Sequence, residues 1–299
     1  MNYRELNGVK DIQVLLQEAG VYTGSIDGKW GGGTADGLTL LFTDYHQRLN
    51  GGRTKPLSFF RDAKDPEAAF KGLKDLQSNL KLFNLYTGEV DGIYGTGTFS
   101  GFFRVFNNYR AYKRLPAYDI GWSRLVSPAF VNKVKAWEQR KAYFPNCGSA
   151  LMGCMHFETA GTFSPTIQNA AGAKYFGLVQ FGEAAATDLK TTVAEIVKMG
   201  QLEQLDLVFK YFEMWERRGK KFTRLEDFYL TIFYPAAVGR KPDEVLFTKD
   251  SAVPILAKSY VQNKGFDMDK DGRITIGEIN TRIYTAYYDG MRVVNRVPC

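Results

Sequence analysis

Histidine and cysteine are scarce in this sequence, and their scarcity excludes several kinds of catalytic site. The 299 residues include two histidines and three cysteines. A catalytic zinc ion needs two or three histidine-type ligands, whereas His46 and His156 lie in different halves of the chain. Cys154 and His156 are two residues apart, so a helix would point them in different directions and the imidazole would not activate the thiol. We therefore expect neither a zinc hydrolase nor a cysteine hydrolase.

Long apolar runs and disulfide-forming patterns are also missing. No run approaches the roughly eighteen apolar residues that a membrane span requires, so no stable membrane insertion is expected. The N-terminal stretch MNYRELNGVKDIQ lacks an apolar segment after its charges, which predicts no signal peptide and synthesis in a cytoplasm. Three cysteines make no disulfide framework, and we expect Cys147 and Cys154 to be small buried hydrophobic residues.

Positive charge, in contrast, is in excess. The net charge is +7 and the pI is about 9.1, a balance that favours an acidic partner such as nucleic acid, anionic lipid or an anionic cell-wall polymer. No arginine-rich block or aromatic RNA-binding motif is present, so a nucleic-acid partner is not expected. A basic protein without an acidic partner is the alternative.

The first third of the chain contains an internal repeat. Residues 9–42 and 73–106 align without a gap at an offset of 64. The identical positions include Gln13 and Gln77, Tyr22 and Tyr86, Asp27 and Asp91, Gly28 and Gly92, and Thr34 and Thr98. Each copy has apolar residues at helical spacing, a loop rich in glycine and aspartate, and a second helical segment. Each copy therefore predicts a helix–loop–helix unit.

The repeat resembles the peptidoglycan-binding module of cell-wall hydrolases. Both copies carry its Tyr-x-Gly-x-x-Asp-Gly-x-aromatic-Gly pattern, as YTGSIDGKWG and YTGEVDGIYG. The resemblance implies a small three-helix bundle with a shallow groove for glycan or stem peptide. By position in the motif, the groove would be lined by Asp27, Trp30, Asp91 and Tyr94. The alternative is that the aromatic rings plug each bundle, and that one copy is structural.

The sequence predicts two helical domains. Residues 1–112 contain both copies, joined by residues 50–66, and residues 113–128 carry two prolines and a glycine, which predict a linker. From residue 129 to residue 299 apolar residues recur at helical spacing, and a Thr192/Glu195 capping box marks the start of one helix. No alternating runs predict a large sheet. We therefore expect a mainly α fold, with a small helical module followed by a larger α-helical domain.

One carboxylate, Glu158, interrupts an apolar run in GCMHFETAGTFSP. Residues 157–181 resemble the core of goose-type lysozymes and lytic transglycosylases. In that core a helix ends in the catalytic glutamate, and a small-residue loop and a Gly-Leu-x-Gln-apolar stretch follow. The resemblance implies an α-helical lysozyme-like domain. It makes Glu158 and Gln180 catalytic, and it makes Thr159, Gly177, Leu178 and Phe181 substrate-binding. A later stretch, residues 229–247, resembles the segment that phage cell-wall lysins carry where transglycosylases have an Ala-Tyr-Asn motif, which implies a catalytic role for Tyr234.

The chemistry of glycoside cleavage fits the sequence around Glu158. A glycosidase needs a carboxylic acid that stays protonated near pH 7, and apolar neighbours such as Phe157 and Phe163 would raise the pKa of Glu158. Gln180 and the GLVQ backbone would orient the N-acetyl group and the sugar ring. Tyr234 would hold the acid or the oxocarbenium-like centre.

A second carboxylate, which most glycosidases need, is not evident. Glu183 and Asp188 are candidates by proximity in sequence only. A site with one carboxylate permits two outcomes. In a lytic transglycosylase the muramic acid 6-hydroxyl or the N-acetyl group attacks and an anhydro product forms, whereas in an inverting lysozyme a positioned water attacks. The sequence leaves both open.

Residues 267–278, DMDKDGRITIGE, fit the twelve-residue EF-hand loop, with Gly272 at the required turn. The pattern places the metal ligands at Asp267, Asp269, Asp271, the Arg273 carbonyl and Glu278. Ca²⁺ is the expected cation. Only one such loop is present, whereas sensors usually work in pairs, so we expect a structural calcium that pins the last helices.

Together these features predict a modular bacteriophage endolysin that cleaves the β-1,4 bond between N-acetylmuramic acid and N-acetylglucosamine. We expect a calcium-stabilised monomer that binds peptidoglycan and waits in the host cytoplasm until another protein gives it access to the periplasm and wall. One alternative is a virion-associated lytic transglycosylase that acts when the phage infects. The other is a catalytically inert wall-binding and calcium-binding protein.

Overall fold

Helices dominate the structure, and the mainly α prediction is confirmed. The computed structural model describes residues 3–49, 57–169 and 174–299, and within these ranges it contains twelve α-helices and one two-stranded sheet. The helices are α1 (Tyr3–Glu18), α2 (Gly32–Leu49), α3 (Ala68–Leu82), α4 (Thr96–Lys113), α5 (Pro128–Lys141), α6 (Cys147–Glu158), α7 (Glu183–Asp188), α8 (Val193–Ile196), α9 (Gln201–Arg217), α10 (Leu225–Phe233), α11 (Pro254–Asn263) and α12 (Ile276–Met291). The antiparallel strands are β1 (Val245–Thr248) and β2 (Arg273–Thr275).

Two predicted features fall partly or wholly outside the described residues. These are residues 50–56 of the connection between the repeat copies, and the small-residue loop at 170–173. The capping box at Thr192 and Glu195 is present at the start of α8. Cys147 and Cys154 are free, buried thiols, as predicted. Among the described helices, none is both long enough and apolar enough to cross a bilayer.

The chain divides into two compact units. The first unit is Met1–Tyr118 with Pro298–Cys299, and the second unit is Asp119–Val297. The boundary falls inside the stretch that was expected to be a linker. Part of that stretch is packed in the second unit, because Trp122 is buried and its Nε1 donates a hydrogen bond to the Ala286 carbonyl at 2.9 Å.

A buried glutamine holds the loop of each repeat copy in the first unit. Gln13 has no exposed surface. Its Nε2 donates to Asp27 Oδ1 at 3.0 Å, and its Oε1 accepts the Gly28 N–H at 2.9 Å. Gln77 makes the matching bonds to Asp91 and the residue after it, at 2.8 Å each. A buried amide is costly to leave unpaired, so these bonds fix the loop. Residues shared by the two copies therefore form an internal network.

Each copy also packs an aromatic ring against the other copy. The Trp30 ring packs against Gly72 on α3, and the Tyr94 ring packs against Gly8 on α1, so that a methyl group at either glycine would overlap the ring. The helices α1 to α4 enclose one shared hydrophobic core. This corrects the three-helix bundle implied for each copy, because within the described residues each copy contributes two helices to a joint four-helix unit.

The helix α6 lies at the centre of the second unit. Every residue from Cys147 to Met155 is buried, and α5, α10 and α12 pack around the helix. Gly153 allows α12 to approach closely, since a Cβ at this position would lie 3.1 Å from Tyr287 Cα. A helix that is buried on all sides shows a continuous apolar run in place of an amphipathic pattern. Glu158 ends this helix where the packing gives way to a cavity.

Candidate active site

Glu158 lines a cavity of about 330 Å³ in the second unit. The lining residues include Asn169, Tyr175 and Gln180 downstream of α6, Phe233 on α10, and Gln262 and Asn263 at the end of α11. A second cavity of about 530 Å³ shares Tyr175, Gln180 and Phe233 with the first. The two cavities adjoin, so the open space beside Glu158 continues into the larger cavity.

The surroundings of Glu158 favour its protonated form. Burial raises the pKa of Glu158 to about 7, while a hydrogen bond from the Tyr229 hydroxyl acts in the lowering direction. The carboxyl group also stands at the C-terminal end of α6, where the helix dipole disfavours negative charge. The adjacent Cys154 thiol is fully buried, which raises its pKa well above the ordinary value. Glu158 is therefore the group in this pair that exchanges a proton near neutral pH.

Tyr229 holds Glu158, and Tyr234 does not. Tyr229 lies within α10 and is buried against α6. Tyr234 follows the end of α10 with an extended backbone, lines neither cavity, and packs its ring against Phe247 at 5.8 Å between centroids. The holding role predicted for Tyr234 is thus corrected to Tyr229.

Gln180 offers an unused hydrogen-bond acceptor beside Glu158. Its backbone is left-handed, with φ of 54°, and its Nε2 donates to the Gly177 carbonyl at 3.1 Å. Its Oε1 is buried and has no hydrogen-bond partner among the described residues. An unpaired buried acceptor costs about 1–3 kcal/mol, and a left-handed non-glycine residue costs a similar amount. Such costs concentrate at binding sites. Because the Gln180 side chain is only half-buried and lines the cavity, a turn of its amide would bring this oxygen to a substrate N–H or hydroxyl.

Thr159 and Leu178 support the site from behind. Neither side chain has exposed surface. The Thr159 hydroxyl donates to the Met155 carbonyl at 2.7 Å and accepts the Phe163 N–H at 2.9 Å, which fixes the turn after Glu158. A side chain without exposed surface cannot touch a substrate, so the substrate-binding role predicted for these two residues is corrected. Phe181 is also almost fully buried, but it lines the adjoining cavity.

Gln204, on α9, fixes the GLVQ loop. It is fully buried, its Oε1 accepts the Leu178 N–H at 2.7 Å, and its Nε2 donates to the Pro165 carbonyl at 2.9 Å. Gly177, with φ of 79°, packs so closely on the Gln204 amide that a Cβ would overlap it. The position therefore needs glycine both for its backbone conformation and for space. The sequence signal for Gln204 is a lone amide on the apolar face of α9, and it was missed.

The two further carboxylates predicted as candidates line the adjoining cavity and not the one that Glu158 lines. Among the described residues that line its cavity, Glu158 is the only carboxylate. Glu183 and Asp188 line the adjoining cavity. Asp188 forms a paired hydrogen bond with the Arg218 guanidinium, both at 2.8 Å, and this interaction lowers the pKa of Asp188. Within the described part of the chain, the cavity that Glu158 lines therefore contains no second carboxylate.

The predicted groove residues of the repeat are engaged in internal contacts. Trp30 is buried, and its Nε1 donates to the Phe60 carbonyl at 2.7 Å. Tyr94 packs against the first copy, as described above. Asp27 and Asp91 are exposed, yet Oδ1 of each accepts from the buried glutamine of its copy and from a backbone N–H at 2.9 Å. For Trp30 the plug alternative holds.

An exposed aromatic face lies instead on α4. Phe99 and Phe103 stack with 5.4 Å between ring centroids, and Phe103 is 37% exposed. The Tyr94 ring lies 6.4 Å from Phe99. The first copy carries Ala35 and Thr39 at the equivalent positions. The two copies therefore present different surfaces although their loops are built alike.

The acidic loop brings three carboxylates together. Single oxygens of Asp267, Asp269 and Asp271 lie within 4.8 Å of one another, and Gly272 makes the turn with φ of 84°. Asp267 Oδ1 is buried and has no hydrogen-bond partner among the described residues. Three neighbouring carboxylates repel one another, and hard divalent cations prefer oxygen ligands. The donor set and the unpaired oxygen thus fit a cation such as Ca²⁺.

Glu278 and Arg273, the two remaining predicted ligands, also take part in the hydrogen bonds of the fold. Glu278 accepts the Met268 N–H at 2.7 Å through Oε1 and the Thr275 N–H at 2.8 Å through Oε2, and it completes a capping box at the start of α12. Arg273 begins β2, which pairs with β1 of the same unit. The loop is therefore tied to α12 and to β1 by bonds of its own.

No protein-family model matches the chain, and no match is found among curated proteins. Function therefore rests on the site, because a mainly α fold alone does not define an activity. The described residues bring Glu158 and Gln180 to one cavity, with Tyr229 behind the acid.

Proposed function

We propose that the protein is a peptidoglycan glycosidase that cleaves the β-1,4 bond between N-acetylmuramic acid and N-acetylglucosamine. The observation that carries this proposal is the carboxyl group of Glu158, whose pKa is raised to about 7 at the edge of a cleft. An acid with this pKa is partly protonated at neutral pH and can protonate a leaving oxygen. The free Gln180 oxygen beside it supports binding of an amide-bearing sugar.

In the proposed reaction Glu158 gives its proton to the bridging oxygen while the bond from that oxygen to C1 of the muramic acid breaks. Positive charge then develops on C1 and the ring oxygen. The Tyr229 hydroxyl donates to the carboxylate that remains and stabilises it. The Gln180 oxygen accepts the N–H of an N-acetyl group and orients the sugar.

The lone carboxylate favours an intramolecular second step. Inverting glycosidases place a second carboxyl group about 6.5–9.5 Å from the first, and retaining enzymes place it about 5–5.5 Å away. No second carboxylate lines the Glu158 cavity among the described residues. The muramic acid 6-hydroxyl then attacks C1, its proton returns to Glu158, and a 1,6-anhydro end forms without water. We therefore favour the lytic transglycosylase outcome over the inverting lysozyme.

The first unit, in this proposal, attaches the enzyme to its insoluble substrate. The stacked rings of Phe99 and Phe103 offer an apolar surface to a sugar face, and the net charge of +7 attracts anionic wall polymers. Ca²⁺ in the acidic loop would hold Asp267, Asp269 and Asp271 together. This combination suits an endolysin that reaches the wall from the host cytoplasm.

The test is digestion of purified peptidoglycan, followed by mass spectrometry of the soluble products. The wild-type protein should release muropeptides with 1,6-anhydro ends, which are lighter by one water than hydrolytic products. Glu158→Gln should release none and should still sediment with the wall. Glu183→Gln, which changes an exposed carboxylate in the adjoining cavity, is the matched control and should keep activity. Near-normal release by Glu158→Gln refutes the proposed acid.

A further inference from the structure

The helix α11 forms part of the cavity that holds Glu158. It spans Pro254–Asn263 and leads into the acidic loop, and its last two residues, Gln262 and Asn263, line that cavity. Both side chains end in a carboxamide, which donates and accepts hydrogen bonds. Asn263 Nδ2 already donates to the Ser259 carbonyl at 2.9 Å, so Asn263 offers its acceptor oxygen. Peptidoglycan carries matching amides in its N-acetyl groups and stem peptides. Two amide-recognising side chains thus face the same cleft as the acid.

Partly buried side chains, Leu256 and Tyr260 among them, hold α11 against the core of the second unit. None of its residues is buried, and Ile255 and Val261 are 64% and 62% exposed. Helices in proteins gain most of their stability from packing an apolar face, so α11 depends on partial contacts and on its C-terminal end. At that end the Tyr260 hydroxyl donates to Asp267 Oδ2 at 2.6 Å. The first predicted metal ligand is therefore a direct anchor of the helix.

Asp267 is also connected to the residues around Glu158. The preceding residue, Phe266, is buried, and its ring centroid lies 6.2 Å from that of Phe157 and 6.4 Å from that of Tyr229. Phe157 is the neighbour of Glu158 in sequence, and Tyr229 is its hydrogen-bond partner. Asp267 thus joins α11 to the aromatic residues that surround the acid.

We infer that α11 is a wall of the substrate cleft, that Gln262 and Asn263 on it bind amide groups of the peptidoglycan, and that a cation at Asp267 holds this wall in position. The inference rests on the proposed glycosidase function. It assigns the cation a role in substrate binding, beyond stabilising the last helices. Gln262 and the cation then act on the same step, so their effects should not add.

The first experiment measures KM and kcat separately on soluble peptidoglycan fragments. Gln262→Ala should raise KM about fivefold to tenfold, the loss expected for one or two neutral hydrogen bonds, with kcat within about twofold of the wild type. Val261→Ala is the matched control, since this neighbouring side chain on α11 is exposed and does not line the cavity. It should leave both constants unchanged. Asp267→Asn should raise KM, and the double variant with Gln262→Ala should be no worse than the poorer single variant.

The second experiment does not depend on activity. Trypsin cleavage after Lys258, on α11, should be slowed by Ca²⁺ in the wild type and in Gln262→Ala, and should be insensitive to Ca²⁺ in Asp267→Asn. Terbium luminescence excited through Tyr260, whose hydroxyl contacts Asp267, should report binding in the first two proteins only. The inference is overturned if Gln262→Ala leaves KM unchanged, or if Ca²⁺ does not change the rate at which trypsin cleaves the wild-type protein. The proposed function still holds in either case if the release of muropeptides depends on Glu158. A wild-type protein that releases no muropeptides overturns both.

Discussion

The Tyr229 hydroxyl on α10 donates a hydrogen bond to the Glu158 carboxyl group at the end of α6. Burial raises the pKa of this carboxyl group, and the hydrogen bond opposes the rise because it favours the ionised form. The two effects together place the pKa at about 7. The pKa of Glu158 is therefore set in part by Tyr229, a side chain that is only 2% exposed to solvent.

Replacing Tyr229 by phenylalanine should move the pH dependence of catalysis upward. The variant keeps the buried ring and removes only the donor, so the pKa of Glu158 should rise further. Losing a hydrogen bond worth about 1 kcal/mol should move the alkaline limb of the pH profile of kcat upward by roughly 0.5–1 pH unit. Burial keeps the pKa of both neighbouring titratable groups, Cys154 and Tyr229, well above the ordinary value, so neither competes in this range.

The measurement is kcat on soluble peptidoglycan fragments between pH 5 and pH 9. Tyr234→Phe is the matched control, because it removes the same atom from a tyrosine that lines neither cavity. Its profile should superimpose on that of the wild type. An unshifted profile for Tyr229→Phe, or an equal shift for both variants, would contradict the assignment.

Glu158→Gln should become more stable relative to the wild type as pH rises. The folded pKa is about 7 against an ordinary value of 4.5. Between these values the unfolded chain releases its proton while the folded protein keeps it, so wild-type stability falls as pH increases. Above about pH 7 the loss is complete and constant. Its upper value is on the order of 3 kcal/mol, reduced because part of the side chain faces the cavity.

Glutamine cannot ionise, so the variant should not show this loss. Calorimetric unfolding temperatures at pH 5 and pH 8 give the comparison, and other titrating groups cancel because both proteins contain them. The difference between variant and wild type should be larger at pH 8 by a few degrees. A difference that is the same at both pH values would show that Glu158 titrates like an exposed carboxylate.

Local pattern predicted the helical fold, which the structure confirms, and it singled out Glu158 as the candidate acid. The apolar spacing of α9 and the capping box at Thr192 and Glu195 depend on neighbours within a few residues, and the structure contains both. Glu158 was proposed because an apolar run ends in a single carboxylate and because residues 157–181 resemble a lysozyme core. A fully buried helix that leads to a cavity accounts for the apolar run. These features can be predicted because each depends only on residues that are close to it in the sequence.

Two further residues of the candidate site were not predicted, because only tertiary packing brings them there. Tyr229 and Gln262 lie far from Glu158 in sequence, and only the placement of α10 and α11 brings them to it. The repeat illustrates a different difficulty. Asp27 and Asp91 are identical in both copies because a buried glutamine requires them, and identity alone does not separate an internal network from a binding surface.

Phe103→Ala should weaken sedimentation of the full-length protein with purified peptidoglycan. The ring is exposed and stacked on Phe99, so its loss removes apolar contact area from the proposed wall-binding face. We expect a fivefold to tenfold weaker association, the equivalent of about 1–1.4 kcal/mol, with kcat on soluble fragments unchanged. Thr39→Ala changes the equivalent position of the first copy and is the control. If both variants bind peptidoglycan equally well, α4 is not part of the surface that binds the wall.

Gly72→Ala should destabilise the first unit, because a methyl group there would overlap the Trp30 ring that the other copy packs against α3. Alanine favours a helix by about 1 kcal/mol over glycine, but overpacking costs about 1–3 kcal/mol or more, so we expect a net loss of roughly 1–2 kcal/mol. Gly8→Ala should act in the same direction through Tyr94. Gly32→Ala is the control, since the nearest atom to its Cβ is 4.0 Å away. Hydrogen exchange of the α3 amides in the full-length protein measures the change locally. Unchanged protection in Gly72→Ala would mean that the two copies do not depend on each other's aromatic ring for stability.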